Sequence, residues 1–142
     1  MAHMVSVEKI KEMRAKYDDL AVVTYINSTA EIKAYSDICV TSSNAAKIVN
    51  QLKEKNIFFV PDKNLGDYIK KSLPDKNVIL NDGYCPVHDE IDLDDVRSFK
   101  GKVKILAHPE CRKEVLDLAD FIGSTKAIIK EAGKYDDVLV VT

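Results

Sequence analysis

The stretch AVVTYI, from Ala21 to Ile26, decides the fold that this sequence predicts. Its apolar residues are nearly continuous and largely β-branched, which is typical of a parallel strand buried on both faces. Three further runs share this character: Ile38–Val40, Ile57–Val60 and Val78–Leu80. Helical stretches lie around these strands, at Val7–Tyr17, Ala45–Lys55 and Leu65–Ser72. The predicted N-caps of the last two helices are Ser43 and Asn64. Strands that alternate with helices form right-handed βαβ units. We therefore predict an α/β fold, a three-layer αβα module with a parallel four-stranded sheet.

A second, incomplete copy of this pattern begins near residue 89. A shift of 83 residues aligns Tyr25 with His108 and Asp37 with Asp120, and it predicts a helix at Asp92–Phe99 and a strand at Lys104–His108. A repeat that cannot bury its own apolar face belongs to a larger array. We expect residues 1–4 to be a cloning remnant, residues 5–88 a complete module, and residues 89–142 a truncated module that self-associates or packs on the first sheet.

The composition is that of a folded chain without a basic surface. Of the 142 residues, 46% are hydrophobic, and 21 basic residues nearly balance 23 acidic ones, for a formal net charge of −2. This balance argues against a nucleic-acid-binding face. No apolar run approaches the roughly 20 residues that a membrane helix needs, and no signal peptide is visible. The expected location is therefore the cytoplasm, without a membrane partner.

Polar side chains gather where the predicted strands end. In parallel α/β sheets, ligands bind at the carboxyl ends of the strands, where helix N-termini also point. The candidates are Tyr25, Asn27 and Ser42 in the first module and His108, Glu110, Ser124 and Thr125 in the second. Because the two copies share one strand order, we expect all of these residues to line the same side of the protein.

Two of these groups allow more than one interpretation. Hydroxyl-rich turns that open helices, such as Ser42–Ser43 and Ser124–Thr125, can bind a carboxylate or phosphate, or they can simply cap the helix. His108 and Glu110 can form an acid/base pair, because imidazole exchanges protons near neutral pH. The alternative is a turn in which Glu110 begins the next helix as a favourable first-turn acid.

The three cysteines have different predicted environments. Cys85 lies in the loop Gly83–His88, where it need not be buried, and it is the best metal candidate, although a single loop cysteine is ordinarily an unremarkable thiol. Cys39 lies inside an apolar strand and is predicted to be a small core residue. Cys111 is predicted to open a helix, a position that would lower its pKa.

Several motifs resemble those of the quinolinate synthase family. They are YINSTAEIKA from Tyr25, DICVTSSNA from Asp37, PDKNLG from Pro61, GYCPVH from Gly83, HPEC from His108 and GST from Gly123. Their order, and their spread over nearly all of residues 5–142, make the resemblance specific. It implies three similar αβα modules around a pseudo-threefold axis, each of which donates one cysteine to a central [4Fe-4S] cluster. This chain would be the middle module and the first half of the third.

The resemblance also implies a reaction and residue roles. Family members condense iminoaspartate with dihydroxyacetone phosphate to give quinolinate, on the route to NAD, and an open iron of the cluster acts as a Lewis acid. By motif position, Tyr25 and Asn27 would contact substrate, Tyr25 with a catalytic role, and Ser42 would hold a carboxylate. His108 and Glu110 would transfer protons. Ser124 and Thr125 would bind phosphate or carboxylate, and Cys85 would be a cluster ligand. The role of His88 is left open.

With one matched cluster cysteine of three, the chain alone is expected to be inactive. Two alternatives remain from the residues themselves. One is an α/β module that binds a small anion without catalysis. The other is a hydrolase-like zinc site formed by Cys85, His88, His108 and Glu110, which are all donors that zinc accepts. Colour separates the second from an iron–sulfur protein, because zinc is colourless.

Overall fold

The computed structural model describes all residues from Met1 to Thr142, and the chain divides into two compact units, Met1–Tyr84 and Cys85–Thr142. The elements of the first unit are α1 (Val7–Lys16), β1 (Leu20–Tyr25), α2 (Ala30–Ala34), β2 (Ile38–Val40), α3 (Ala45–Gln51), β3 (Asn56–Val60), α4 (Lys63–Ser72) and β4 (Asn77–Leu80). Its four strands form one sheet in the order β2-β1-β3-β4, and every neighbouring pair is parallel. The predicted four-stranded parallel sheet is therefore confirmed.

Helices cover both faces of this sheet, as the continuous apolar strands require. Alternate residues of β1 and β3 point to opposite faces because side chains alternate along a strand. One face packs against α3 and α4 and contains Ala21, Val23, Tyr25, Val49, Ile57, Phe59, Leu65 and Ile69. The other packs against α1 and α2 and contains Val7, Ile10, Met13, Val22, Ile32, Phe58 and Val60. The three-layer αβα arrangement is thus confirmed for the first unit.

The second unit contains a smaller sheet of the same kind. Its elements are α5 (Pro86–Asp89), α6 (Leu93–Ser98), β5 (Lys104–Ala107), α7 (Lys113–Leu116), β6 (Phe121–Ile122), α8 (Thr125–Ala132) and β7 (Val138–Val141). The strand order is β6-β5-β7, and both pairs are parallel. A core of Val96, Ile105, Ala107, Cys111, Val115 and Val141 lies against α6 and α7. None of the helices in either unit is long and apolar enough to span a membrane.

The repeat is confirmed at the level of individual hydrogen bonds. In the first unit, the Asp37 carboxylate accepts a bond of 2.7 Å from the Val22 amide. In the second unit, the Asp120 carboxylate accepts a bond of 2.9 Å from the Ile105 amide. Both partners are related by the same 83-residue shift, and the strand registers Val23↔Ile38 and Leu106↔Phe121 are related by it as well. The second sheet therefore repeats the first up to its third strand.

Both predicted N-caps were wrong. Helix α3 begins after Asn44, not after Ser43, and the Asn44 side chain accepts a bond from the Thr41 amide. Helix α4 begins after Asp62, whose carboxylate accepts a bond of 2.8 Å from the Leu65 amide, whereas Asn64 lies within the helix. Several adjacent residues in each segment can serve as caps, so their residue types alone do not decide which one does.

Three other expectations need correction. Cys39 is exposed, because β2 is a short strand at the edge of the sheet and only its last residue is buried. Cys111 opens no helix; it is fully buried in the core of the second unit, and α7 begins only at Lys113. A short helix, α2, fills the connection from β1 to β2, for which no helix was predicted.

Candidate functional site

Helix α5 brings Cys85 and His88 together. Cys85 is the N-cap residue and Pro86 follows at the first helical position, where its missing N–H costs nothing because that amide would have no partner. The Asp89 amide donates to the Cys85 carbonyl at 2.9 Å and closes the turn. Residues three apart on a helix lie on one face, so the Cys85 thiol and the His88 ring point to the same side.

The turn after β5 places His108 and Glu110. The His108 amide donates to the Val141 carbonyl at 3.0 Å, and the Cys111 amide donates to the His108 carbonyl at 3.0 Å. Both side chains are almost fully buried, with 3% of each residue exposed. The next helix, α7, begins only at Lys113. The alternative in which Glu110 begins a helix is therefore wrong. Both residues lie in a tight turn that follows β5, the central strand of the second sheet.

His108 and Glu110 form the close polar pair that the sequence predicted. Nδ1 of His108 lies 3.2 Å from Oε2 of Glu110 and 3.4 Å from the Glu110 amide nitrogen. A protonated Nδ1 donates to the carboxylate, whereas an unprotonated one accepts from the amide. Nδ1 of His108 therefore has a hydrogen-bond partner in either tautomer of the ring.

His88 completes the cluster. Its ring lies 5.3 Å from that of His108, centroid to centroid, and its Nδ1 is 3.9 Å from Glu110 Oε2. Nε2 of His88 is 3.3 Å from the Thr142 hydroxyl oxygen. Burial lowers the pKa of His88 below its ordinary value, and His108 lowers it further, while the negative charge of Glu110 opposes both effects. The lowered pKa of His88 favours a neutral ring near pH 7.

Three of these side chains can act as metal ligands together. The ligand atoms of Cys85, His88 and Glu110 all lie within 4.8 Å of one another. Cys85 is half-buried, in contrast to the exposed Cys39 and the buried Cys111. A thiol that borders a buried imidazole and carboxylate is suited to bind iron or zinc. The residues present therefore fit a metal group that Cys85 would hold, as the sequence predicted for this cysteine.

The candidate residues of the first unit also lie where their strands end. Tyr25 is the last residue of β1 and is buried, Asn27 follows it and is exposed, and Ser42 is half-buried in the turn after β2. The neighbouring hydroxyls of Thr41 and Ser43 lie 2.9 Å apart. Within this unit, the three candidates thus lie at the carboxyl end of the sheet.

The second hydroxyl-rich turn differs from the first. Ser124 is the N-cap residue of α8, and its hydroxyl accepts a bond of 3.4 Å from the Ala127 amide. Thr125 is the exposed first residue of that helix. The capping interpretation therefore holds for Ser124, whereas neither Ser42 nor Ser43 caps α3. The two turns are equivalent in position but not in hydrogen bonding.

The loop that leads to Cys85 is anchored within the first unit. The Asn81 side chain donates to the carbonyls of Pro61, at 2.9 Å, and Met4, at 3.0 Å. The Lys63 amide donates to the Gly83 carbonyl at 2.7 Å. These bonds join the loop after β4 to the loop after β3, where the PDKNLG motif begins. Asn81 was not among the predicted functional residues, and no motif letter singles it out.

His88 is the residue of this cluster to which the sequence analysis assigned no role. Its partner Glu110 is distant in the sequence, so no local spacing pattern joins the two. The usable signal was the Cys-x-x-His spacing, which places both side chains on one face if the loop is helical. Only the fold of the second unit brings that face to the HPEC turn.

Comparison with known proteins supports the resemblance. Residues 1–142 match the family described as quinolinate synthetase A protein. The quinolinate synthase of Fusobacterium nucleatum is 60% identical over 99% of this chain and 48% of its own length. Those of Clostridium acetobutylicum, at 51% identity, and Aquifex aeolicus, at 44%, match all of this chain and 49% and 46% of their own lengths. The chain spans about half the length of these curated relatives, and it belongs to the quinolinate synthetase A protein family.

Proposed function

We propose that the chain is the part of a quinolinate synthase that carries proton transfer and one cluster ligand. The enzyme would be a cytoplasmic transferase of NAD biosynthesis that condenses iminoaspartate with dihydroxyacetone phosphate. The observation that carries this proposal is the buried His108–Glu110 pair, with 3.2 Å between Nδ1 and Oε2, in a chain of this family. Residues that act in acid/base catalysis are often buried, hydrogen-bonded titratable groups, and in α/β folds they lie at the carboxyl ends of strands.

The atom balance of the reaction defines what these residues must do. Joining iminoaspartate to dihydroxyacetone phosphate and closing the ring gives quinolinate, one phosphate and two water molecules. Each loss of water requires a proton at the departing hydroxyl and the removal of a proton from a neighbouring atom. His108 would deliver protons and Glu110 would accept them. Their burial keeps bulk water away from the reacting atoms.

Cys85 would be a thiolate ligand of a [4Fe-4S] cluster. When bound, the cluster supplies an iron that acts as a Lewis acid on a substrate oxygen. The half-buried thiol beside two buried polar side chains supports this assignment. Cys39 and Cys111 are poor candidates, because one is exposed on an edge strand and the other lies inside the core.

The remaining candidates would bind substrate. Tyr25, Asn27 and Ser42 would contact the substrate and one carboxylate from the end of the first sheet. The N-terminus of α8, with Ser124 and Thr125, would bind phosphate or carboxylate, because free amides and the helix dipole favour an anion there. The alternative from the sequence, anion binding without catalysis, would use the two hydroxyl-rich turns; Ser124 caps α8, whereas Ser42 and Ser43 cap no helix.

A chimaera tests the proposal. In the Fusobacterium nucleatum relative, the matching half would be replaced by this chain, to which it is 60% identical. After anaerobic reconstitution with iron and sulfide, the chimaera is expected to form quinolinate from the two substrates. Glu110→Gln in the chimaera should lower turnover at least 100-fold, the usual loss for a general acid or base, without loss of the visible cluster absorbance.

Matched variants separate the roles. Cys85→Ser should abolish both cluster absorbance and quinolinate formation, whereas Cys39→Ser, which removes the exposed thiol, should change neither. The 142-residue chain alone is expected to form no quinolinate. A chimaera that holds the cluster but makes no quinolinate contradicts the proposal, as does a Glu110→Gln variant with full activity.

A further inference from the structure

We propose that Arg112 is a positioning residue for the proton-transfer pair, His108 and Glu110. Its side chain joins the turn that carries this pair to the segment that carries His88, and it thereby fixes the distance between the two. Arg112 itself would contact no reacting atom, so its effect is exerted through the segments that it connects. This role rests on the proposed function of His108 and Glu110 in proton transfer.

The Arg112 guanidinium bridges two segments of the second unit with a short hydrogen bond. Its Nη2 donates to the Ile91 carbonyl at 2.7 Å. Ile91 lies three residues after His88, just beyond the end of α5, and Arg112 lies two residues after Glu110. Because so little chain separates the bridge from either side chain, a shift at the bridge moves His88 relative to Glu110.

The sheet holds the other side of the turn. The His108 amide donates to the Val141 carbonyl at 3.0 Å, and the Cys111 thiol donates to the same carbonyl at 3.6 Å. Both bonds tie the turn to β7, and neither involves α5. The bond from Arg112 to Ile91 is therefore an anchor in the direction that these two bonds leave open, toward the segment of α5.

Stability alone gives a poor account of Arg112. A guanidinium carries several N–H donors and no acceptor, and the buried Nε of Arg112 makes no hydrogen bond. An unpaired donor of a buried charged group costs free energy. An apolar side chain of similar size would fill the space without this cost. Such a side chain would lack the donor to Ile91, which indicates that geometry is what the arginine contributes.

The geometry matters because His88 borders the pair. Nδ1 of His88 is 3.9 Å from Glu110 Oε2, and the ring centroids of His88 and His108 are 5.3 Å apart. If α5 moved away, water would reach the carboxylate and weaken its interaction with the imidazole. A displacement of about 1 Å at a catalytic group can lower the rate about 100-fold. Arg112 thus maintains both the spacing and the burial of the pair.

Nuclear Overhauser effects between histidine rings test this role in the 142-residue chain without metal. The wild type should show a cross-peak between the rings of His88 and His108, which are close enough for one. Arg112→Met keeps an apolar stem but has no donor, so this cross-peak should be lost. The contact between the His108 ring and the Glu110 amide lies within the turn and should persist. Arg112→Lys, which retains a donor and the charge, should keep both.

A second cation-to-carbonyl bond in the same unit provides the matched control. Lys100 Nζ donates to the Leu118 carbonyl at 2.6 Å, so Lys100→Met removes a comparable bond and should leave the ring cross-peak unchanged. Far-ultraviolet circular dichroism verifies that each variant folds. The proposal is overturned if Arg112→Met keeps the cross-peak or loses the signal of a folded chain. It is also overturned if Arg112→Lys or Lys100→Met loses the cross-peak.

The chimaera gives a kinetic readout. Arg112→Met should lower kcat about tenfold or more, while KM changes by less than about twofold, because the side chain contacts no substrate. A full kcat in this variant would overturn the positioning role and leave the proposed function intact. A chimaera without any activity would contradict the proposed function, whereas the ring cross-peak in the 142-residue chain would still decide whether Arg112 holds the two segments together.

Discussion

Replacement of Gly83 by alanine should destabilise the first unit strongly. Gly83 is buried in the loop after β4. A Cβ atom added there would lie 2.3 Å from the Pro61 carbonyl oxygen and 3.0 Å from the Asn81 side-chain nitrogen. A carbon–oxygen contact needs about 3.3 Å, so the two loops must separate by roughly 1 Å. Because the obstacle is backbone, no side-chain rotation can relieve it.

The cost follows from the bonds that the separation breaks. The Lys63 amide, now 2.7 Å from the Gly83 carbonyl, would move beyond hydrogen-bond distance, a loss of about 1 kcal/mol. Overpacking adds about 1–3 kcal/mol. We therefore expect Gly83→Ala to lower the free energy of unfolding by about 2–4 kcal/mol. That is a large share of the 5–15 kcal/mol that a typical domain has.

Urea unfolding followed by circular dichroism and tyrosine fluorescence measures this loss. Two alanine variants provide matched comparisons. At Gly66 the new Cβ would meet the Leu80 side chain at 2.7 Å, a flexible neighbour, so the loss should be smaller. At Gly133 the nearest atoms are 3.8 Å away, so stability should change by less than about 0.5 kcal/mol. A Gly83→Ala variant as stable as Gly133→Ala would refute the reasoning.

Three further predictions concern the second unit. Asp120→Ala should destabilise it by about 1 kcal/mol, since the Ile105 amide loses its acceptor; faster hydrogen exchange at that amide would show the loss, and unchanged exchange would count against it. The same bond lowers the pKa of Asp120, and the charges of nearby lysines lower it further. The contribution of Asp120 to stability is therefore present above pH about 4 and is lost as the pH falls through the lowered pKa. Ser124→Ala should cost about 0.5 kcal/mol in urea unfolding, the low end for an N-cap, because the capping bond is long at 3.4 Å; a loss above about 2 kcal/mol would indicate another role. Burial lowers the pKa of His88, so on acidification the unfolded chain takes up a proton at a higher pH than the folded chain does. The free energy of unfolding of the metal-free protein should therefore fall as the pH drops below about 6.5. His88→Gln should weaken this dependence, and equal slopes of stability against pH in the two proteins would contradict the prediction.

The amino-acid sequence by itself determined the architecture of both units. Buried parallel strands need continuous apolar residues, and the runs around Ala21–Ile26 and Ile57–Val60 have them, so strand identity and direction could be predicted locally. The 83-residue shift was readable because equivalent strand ends need equivalent polar partners, as Asp37 and Asp120 show. The pairing of His108 with Glu110 was also predictable, since only Pro109 separates them in one turn.

Tertiary structure decided which neighbours each side chain has. Cys39 looked like a core residue, but exposure depends on whether a strand lies at the edge of its sheet, and strand order is not a local property. The N-caps of α3 and α4 are Asn44 and Asp62 rather than the predicted Ser43 and Asn64, because several adjacent residues of each segment are suitable caps. His88 lies beside Glu110, with 3.9 Å between Nδ1 and Oε2, only in the folded second unit, because the two residues are 22 apart in the sequence. Contacts of this kind arise from packing of separate elements, and no spacing pattern in the chain encodes them directly.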